Sequence, residues 1–319
     1  MKRIFAFLLL FCLLVPLFCA CGSAGDGEKK EFTVVATVFP TYDWIREILG
    51  EEAGRTDLKL LLDNGVDLHS FQPTAEDMMN ISACDLFVYV GGESDAWVED
   101  ALKTGANPKR VTVNLMEVLG SAARPEEAVE GMQNDGEEEE EAMDEHVWLS
   151  LKNAVVFADA LQKALGEMDP AHRETYEKNA AAFTKKCADL DERYESAVRA
   201  GRVKTLLVAD RFPFLYLVKD YSLSYYAAFS GCAAESEASF ETVVFLAKML
   251  KENGLKAVLI LKGSDGKIAR TVMDSADVKD IPVLTLDSMQ TVGIREIGEG
   301  ATYLKIMEEN LAVLETALA

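Results

Sequence analysis

Residues 171–200 contain neither proline nor glycine, and Pro170 stands at their head. At a rise of ~1.5 Å per residue this segment predicts one helix about 45 Å long, enough to run the length of a two-lobed protein. It separates two series of the same kind. Before it, apolar strand-like runs at 32–39, 58–62, 85–90 and 110–115 alternate with helical spacings at 42–49, 74–80 and 96–103. After it, runs at 205–209, 225–229, 257–261 and 283–286 alternate with helical stretches at 212–220, 240–252, 267–275 and 296–318. Strands separated by helices imply parallel sheets built from βαβ units. The expected fold is therefore α/β, with two α/β lobes carrying parallel-type sheets and joined by a long helix. A length of 319 residues, about twice the usual ~150 of one domain, accommodates both lobes. The expected divisions are 32–150 for the N-terminal lobe, 151–200 for the linking helices and 201–319 for the C-terminal lobe.

Charge narrows the function. Acidic residues outnumber basic ones 54 to 32, for a formal net charge of −22. A nucleic-acid binder needs a positive footprint, so this balance argues against one and favours cationic or neutral partners. The N-terminus is a separate unit. A short basic start, Lys2 and Arg3, precedes an apolar run to Ala20 that is too short to span a membrane comfortably, the pattern of a secretory signal over residues 1–20. Leu17 to Cys21 resembles a bacterial lipobox, which makes Cys21 the expected lipidation site and residues 21–31 a polar tether. Removal of the leader leaves Cys84, Cys187 and Cys232 besides the lipidated residue, an odd number without metal or disulfide spacing. They are expected to be buried small apolar residues, or at most one pair. Residues 120–143 are poor in apolar side chains and include five consecutive glutamates, Glu137 to Glu141, so this stretch is expected to be an acidic mobile loop.

Only three histidines are present. His69 lies in Asp67-Leu-His-Ser-Phe-Gln-Pro-Thr74, past a strand and before a helix. His146 lies in Asp144-Glu-His-Val-Trp-Leu-Ser150, between the acidic loop and a helix. His172 falls in the first turn of the long helix, where a surface role is expected. Strand ends in α/β sheets are where ligands bind, which favours the first two as functional groups. The segments around them resemble the paired histidine motifs of the zinc/manganese group of metal-binding solute-binding lipoproteins of bacterial ABC importers, often called cluster A-I or TroA-like. That family shows Asp-Pro-His-Ser-Tyr-Glu-Pro-Thr, matched here at Asp67, His69, Ser70, Pro73 and Thr74. Its second motif, Asp-Pro-His-Val-Trp-Leu-Asp, is matched at His146, Val147, Trp148 and Leu149.

The resemblance covers the chain from about Phe32 to the C-terminus. It implies a rigid backbone helix between the lobes and one metal held in the interlobe cleft by His69, His146 and two further ligands. One is an aspartate that maps onto Asp287. The other is a His or Glu whose position is taken here by Arg211, a side chain with donors only. Asp210 is the expected substitute ligand, with helix capping as its alternative role. Glu235 and Glu237 follow as further ligands or partners of Arg211. Two imidazoles and carboxylates suit Zn²⁺ and also Mn²⁺ as bound cargo, and the resemblance favours zinc, since a long charged loop before the second histidine is similar to that of the family's zinc members. The implied partners are an ABC permease with its ATPase and the membrane reached through the lipid anchor. The implied place is the extracytoplasmic face of the cytoplasmic membrane, and the implied state a monomer. Nothing in the sequence supports a hydrolase: no His-Glu-x-x-His and no Gly-x-Ser-x-Gly is present. The competing expectation is an adhesive or assembly lipoprotein that keeps the fold with a weakened metal site.

Overall fold

The structure is a computed structural model that describes residues 30–103, 105–133, 142–233 and 237–319. The leader at 1–20, the lipidation candidate Cys21, the glutamates 137–141 and Glu235 lie outside the described residues. The first sheet comprises β1 (Phe32–Ala36), β2 (Thr56–Leu60), β3 (Leu86–Tyr89) and β4 (Val111–Asn114), all parallel and ordered β2-β1-β3-β4. The inner strand β1 buries Val34, Val35 and Ala36 completely, because helices cover both faces of a parallel sheet. The helices of this lobe are α1 (Phe39–Leu49), α2 (Ala75–Ala83), α3 (Val98–Lys103) and α4 (Leu115–Leu119). Pro40 occupies the first turn of α1, where its missing N–H costs nothing. Thr74 and Asp77 form a reciprocal capping box that starts α2.

Two helices then cross between the lobes, α5 (Leu151–Met168) and α6 (Arg173–Ala200). The segment opened by Pro170 is a 3₁₀ turn over Pro170–His172 followed by α6 itself. The buried residues of α6 are Tyr176, Ala180, Phe183, Cys187, Leu190, Tyr194 and Val198, spaced by three and four so that they form one stripe. Burial of each large side chain in that stripe contributes about 1.5–3 kcal/mol. His172, expected at the surface, is partly exposed and takes part in an ionic cluster there, with Nδ1 2.8 Å from Asp169 Oδ2 and 2.9 Å from Arg55 Nη1.

The second sheet repeats the first in order. It comprises β5 (Thr205–Phe212), β6 (Ser224–Ser230), β7 (Val258–Leu261) and β8 (Val283–Leu286), parallel and ordered β6-β5-β7-β8. Its helices are α7 (Leu215–Asp220), α8 (Phe240–Glu252) and α9 (Lys267–Ala276). The single C-terminal helix expected over 296–318 is two, α10 (Ile294–Gly298) and α11 (Tyr303–Ala317), broken where Gly300 turns at φ 93°. One apolar cluster runs through both lobes, from Val34 and Trp44 by Trp148, Phe157 and Phe183 to Tyr303 and Leu259. A second lies under α8 and α9, around Leu207, Ala228, Leu246 and Val272.

The segment 120–143, read as a mobile loop, has a built stem in its described part. Glu126 N donates to Ala142 O at 2.8 Å and Asp144 N to Arg124 O at 2.9 Å. Gln133 reaches the edge of the second sheet, its N–H bonding Ala228 O at 2.9 Å. The described part thus brings Gln133 to the C-terminal lobe and places 142–144, paired with 124–126, directly before His146.

Candidate metal centre

Loops at the carboxyl ends of the two sheets face each other, the position where open α/β sheets bind ligands. After β2 the chain turns and Asp67 caps a short 3₁₀ turn, Leu68–Ser70, its carboxylate accepting His69 N at 3.1 Å. Leu68 is buried beneath, so His69 projects from an anchored turn. Its Nδ1 lies 2.8 Å from Ser94 Oγ. Glu145 takes the Ser94 N–H at 2.9 Å, and its Oε2 lies 3.7 Å from His69 Nδ1. The hydroxyl can accept from Nδ1–H, and the Glu145 carboxylate beside that nitrogen favours the proton there. Nε2 then carries a lone pair. Gly92 makes room for this arrangement: at φ +86° its missing Cβ would stand 2.3 Å from Glu145 Oε1.

His146 is fully buried and oriented in the same way. Its Nδ1 is 3.0 Å from Asp144 Oδ1, which also accepts the His146 N–H at 2.8 Å. A carboxylate accepts only, so here too the proton sits on Nδ1 and the lone pair on Nε2. The two Nε2 atoms are 3.2 Å apart. Tetrahedral Zn²⁺ with bonds of 2.0–2.1 Å sets its nitrogen ligands about 3.3 Å apart, so the pair already spans one edge of that tetrahedron. Burial, and then the neighbouring His146, bring the His69 pKa down to about 4, which keeps the imidazole neutral and able to ligate near neutral pH.

The third donor on this spot is Cys232. Its Sγ and the ligand nitrogens of His69 and His146 all lie within 4.8 Å of one another. Cys232 sits two residues past β6, and its N–H bonds Glu126 Oε1 at 3.0 Å. Gly231 allows the approach, since a Cβ there would meet His146 Cε1 and Phe212 O at 3.0 Å each. Burial, and then the Glu126 carboxylate, push the thiol well above its ordinary value. The sequence expectation for the three cysteines thus holds for Cys84 and Cys187, which are buried, and fails for the half-buried Cys232. Its sequence signal was weak: a lone cysteine after a strand end, with no spacing to a second ligand.

The other expected residues are placed differently. Asp287 stands at the end of β8, but its Oδ2 pairs with Lys262 Nζ at 2.7 Å and its Oδ1 takes Met289 N at 2.8 Å. Asp210 accepts from Arg211 N at 2.9 Å and Leu261 N at 3.4 Å. It caps no helix, because β5 continues to Phe212 and α7 begins only at Leu215. Neither aspartate joins the histidine pair and Cys232 in the convergent group among the described residues. Glu237 is exposed and 3.7 Å from Lys267. Arg211 pairs with Asp67 at 3.0 Å, rather than with Asp210 or Glu237. That contact joins the C-terminal lobe to the turn that carries His69, and Gln290 Nε2 adds a second bond to Asp67 at 3.2 Å.

Residues 34–317 match the family described as zinc-uptake complex component A, periplasmic (ZnuA). The chain belongs to this family. It is 28% identical over 317 residues to the high-affinity zinc uptake system protein ZnuA of Bacillus subtilis (strain 168), covering 98% of this chain and 96% of that protein. It is also 28% identical over 316 residues to the zinc-binding lipoprotein AdcA of Streptococcus pneumoniae (strain ATCC BAA-255 / R6). That match takes in 99% of this chain but spans only 61% of that relative's length. The crystal structure of the Zn(II)-bound ZnuA-like domain of S. pneumoniae AdcA superposes with a TM-score of 0.70 at 25% identity, over 90% of this chain and 98% of that one. The two-lobed α/β fold read from the sequence is thus the fold of the family.

Proposed function

We propose that this chain is the extracytoplasmic receptor of a metal importer. It captures one divalent transition metal, Zn²⁺ before Mn²⁺, between its lobes and delivers it to an ABC permease and its ATPase. It works as a monomer held at the outer face of the cytoplasmic membrane through lipid on Cys21. The observation that carries this reading is the pair of Nε2 atoms 3.2 Å apart, with His146 Nδ1 bonded to Asp144 and His69 Nδ1 bonded to Ser94. Borderline-soft nitrogen donors suit zinc better than the harder manganese. Binding without turnover fits the site, whose groups converge as donors to one ion. Asp287 and Asp210 enter the coordination sphere only by giving up Lys262 and main-chain donors, respectively. The adhesive alternative, a fold with a decayed site, is less well supported, because two oriented histidines facing each other are a built arrangement.

Metal titration of the purified protein tests the reading. One tightly bound Zn²⁺ per chain is expected, with affinity lowered by orders of magnitude in His69→Ala and in His146→Ala and unchanged in His172→Ala. Binding no tighter than that of surface carboxylates, or equal losses in all three variants, would overturn it.

A further inference from the structure

Building on the reading that this cleft captures a divalent metal, we propose that Cys232 is a ligand of the captured ion, so that the site is His₂Cys and selects thiophilic metals over manganese. Three observations carry the proposal. The thiol sulfur and both imidazole nitrogens converge within 4.8 Å, so an inward movement of about 1 Å brings them to the ~3.6 Å that bonds of about 2.0–2.3 Å set between nitrogen and sulfur on a tetrahedral ion. The backbone is shaped for it, since Gly231 passes against the His146 ring where a side chain would be crowded. The oxygen donors expected from the sequence are engaged elsewhere, Asp287 with Lys262 and Asp210 with main-chain N–H groups.

Charge and softness then give the consequence. Two neutral imidazoles leave a divalent ion at +2, and a thiolate reduces that to +1 inside a cleft where uncompensated charge is costly. Coordination replaces the S–H bond with an S–metal bond, and the proton leaves to solvent. Glu126, which accepts the Cys232 N–H, and the acids behind the two rings, Asp144 and Glu145, balance the remaining positive charge. Thiolate ligands favour zinc and other thiophilic ions, while carboxylate and water ligands suit manganese. Arg211, which stands where a family ligand is expected, is neutralised by Asp67 and so does not repel the ion.

Co²⁺ serves as the probe. The cobalt-loaded wild-type protein is expected to show a near-ultraviolet sulfur-to-cobalt charge-transfer band, which Cys232→Ser abolishes while the visible d–d bands persist. Zinc affinity of Cys232→Ser should fall by more than the about 10–100-fold that loss of an outer-shell partner costs. The zinc-over-manganese preference should fall in Cys232→Asp, which keeps the charge and changes sulfur for oxygen. A stoichiometric cobalt complex of the wild type without the charge-transfer band, or unchanged zinc affinity in Cys232→Ser, would overturn the thiolate ligand alone. Failure of the wild type to bind any stoichiometric cobalt or zinc would overturn the capture reading as well. The wild-type spectrum needs no variant, so a folding defect in a substituted protein leaves the test intact.

Discussion

The two sheets have the same strand order, yet the loops at their carboxyl ends do different work. The turn after β2 and the segment entering α5 present two histidines, each held by a bond on the ring nitrogen that faces away from the site. The loops of the C-terminal lobe bring one thiol, on a strand end thinned by Gly231, and a set of charges that pair across the cleft. The first side is oriented by its own hydrogen bonds, whereas the second is tied to the first by the contacts of Arg211 and Gln290 with Asp67. The comparison teaches that identical topology fixes where loops meet and leaves their chemistry free. It also teaches that Asp67, which caps the His69 turn and pairs with Arg211, is where the two sides are coupled.

The comparison breaks most completely if the first side loses a donor. His146→Ala should cost orders of magnitude in zinc affinity by titration, with His69→Ala close behind. Next come the groups behind the rings. Asp144→Asn and Glu145→Gln should each weaken zinc binding by about 10–100-fold, because each removes the negative charge beside an imidazole Nδ1, bonded at 3.0 Å in His146 and 3.7 Å away in His69. Competition with a chelator of known affinity checks this, and an unchanged affinity in both would show that the rings need no orientation.

The coupling between the sides is tested by Arg211→Ala and Asp67→Asn. Each should raise zinc dissociation a few-fold and increase cleavage of the interlobe loops by a protease, with the secondary structure unchanged. The ion pair is part-exposed, so its energy is modest, about 1 kcal/mol or less.

Acid sharpens the comparison through His69. The unfolded chain protonates this imidazole near 6.5, and the folded chain resists until about 4. Between those values the unfolded state binds more protons, so stability of the metal-free protein is complete above about pH 6.5 and declines toward pH 4. Chemical denaturation across that window should show the decline, and His69→Gln should flatten it. The smallest effect is expected from deleting residues 134–141, which should leave primary-site zinc affinity nearly intact. Only weak, salt-sensitive cation binding should disappear, since exposed carboxylates are screened over ~8 Å at physiological ionic strength.

Much of this was legible in the residues because it rests on local physics. Strand and helix periodicity read out the α/β series, and the segment free of proline and glycine read out α6, whose stripe from Tyr176 to Val198 follows the helical repeat. His69 and His146 were legible because each lies in a short motif at an element boundary. Where glycine and proline act at a distance of one or two residues the boundaries shifted, as at Gly300 and at the 3₁₀ turn after Pro170.

What only the tertiary structure decided is which partners each charged or nucleophilic group finds. Asp210 and Asp287 are acids at strand ends by sequence, and the same description fits a ligand or a structural acceptor. Lys262 and the main chain of β7 decide between those roles, and both belong to a different segment. Arg211 finds Asp67, 144 residues away. Cys232 has no sequence neighbour that marks it. It comes to the histidines because two parallel sheets, joined by a shared core, aim their carboxyl ends at one cleft. Local propensity depends on a few adjacent residues and can be read in order. Coordination depends on donors converging in space, and that is set by packing.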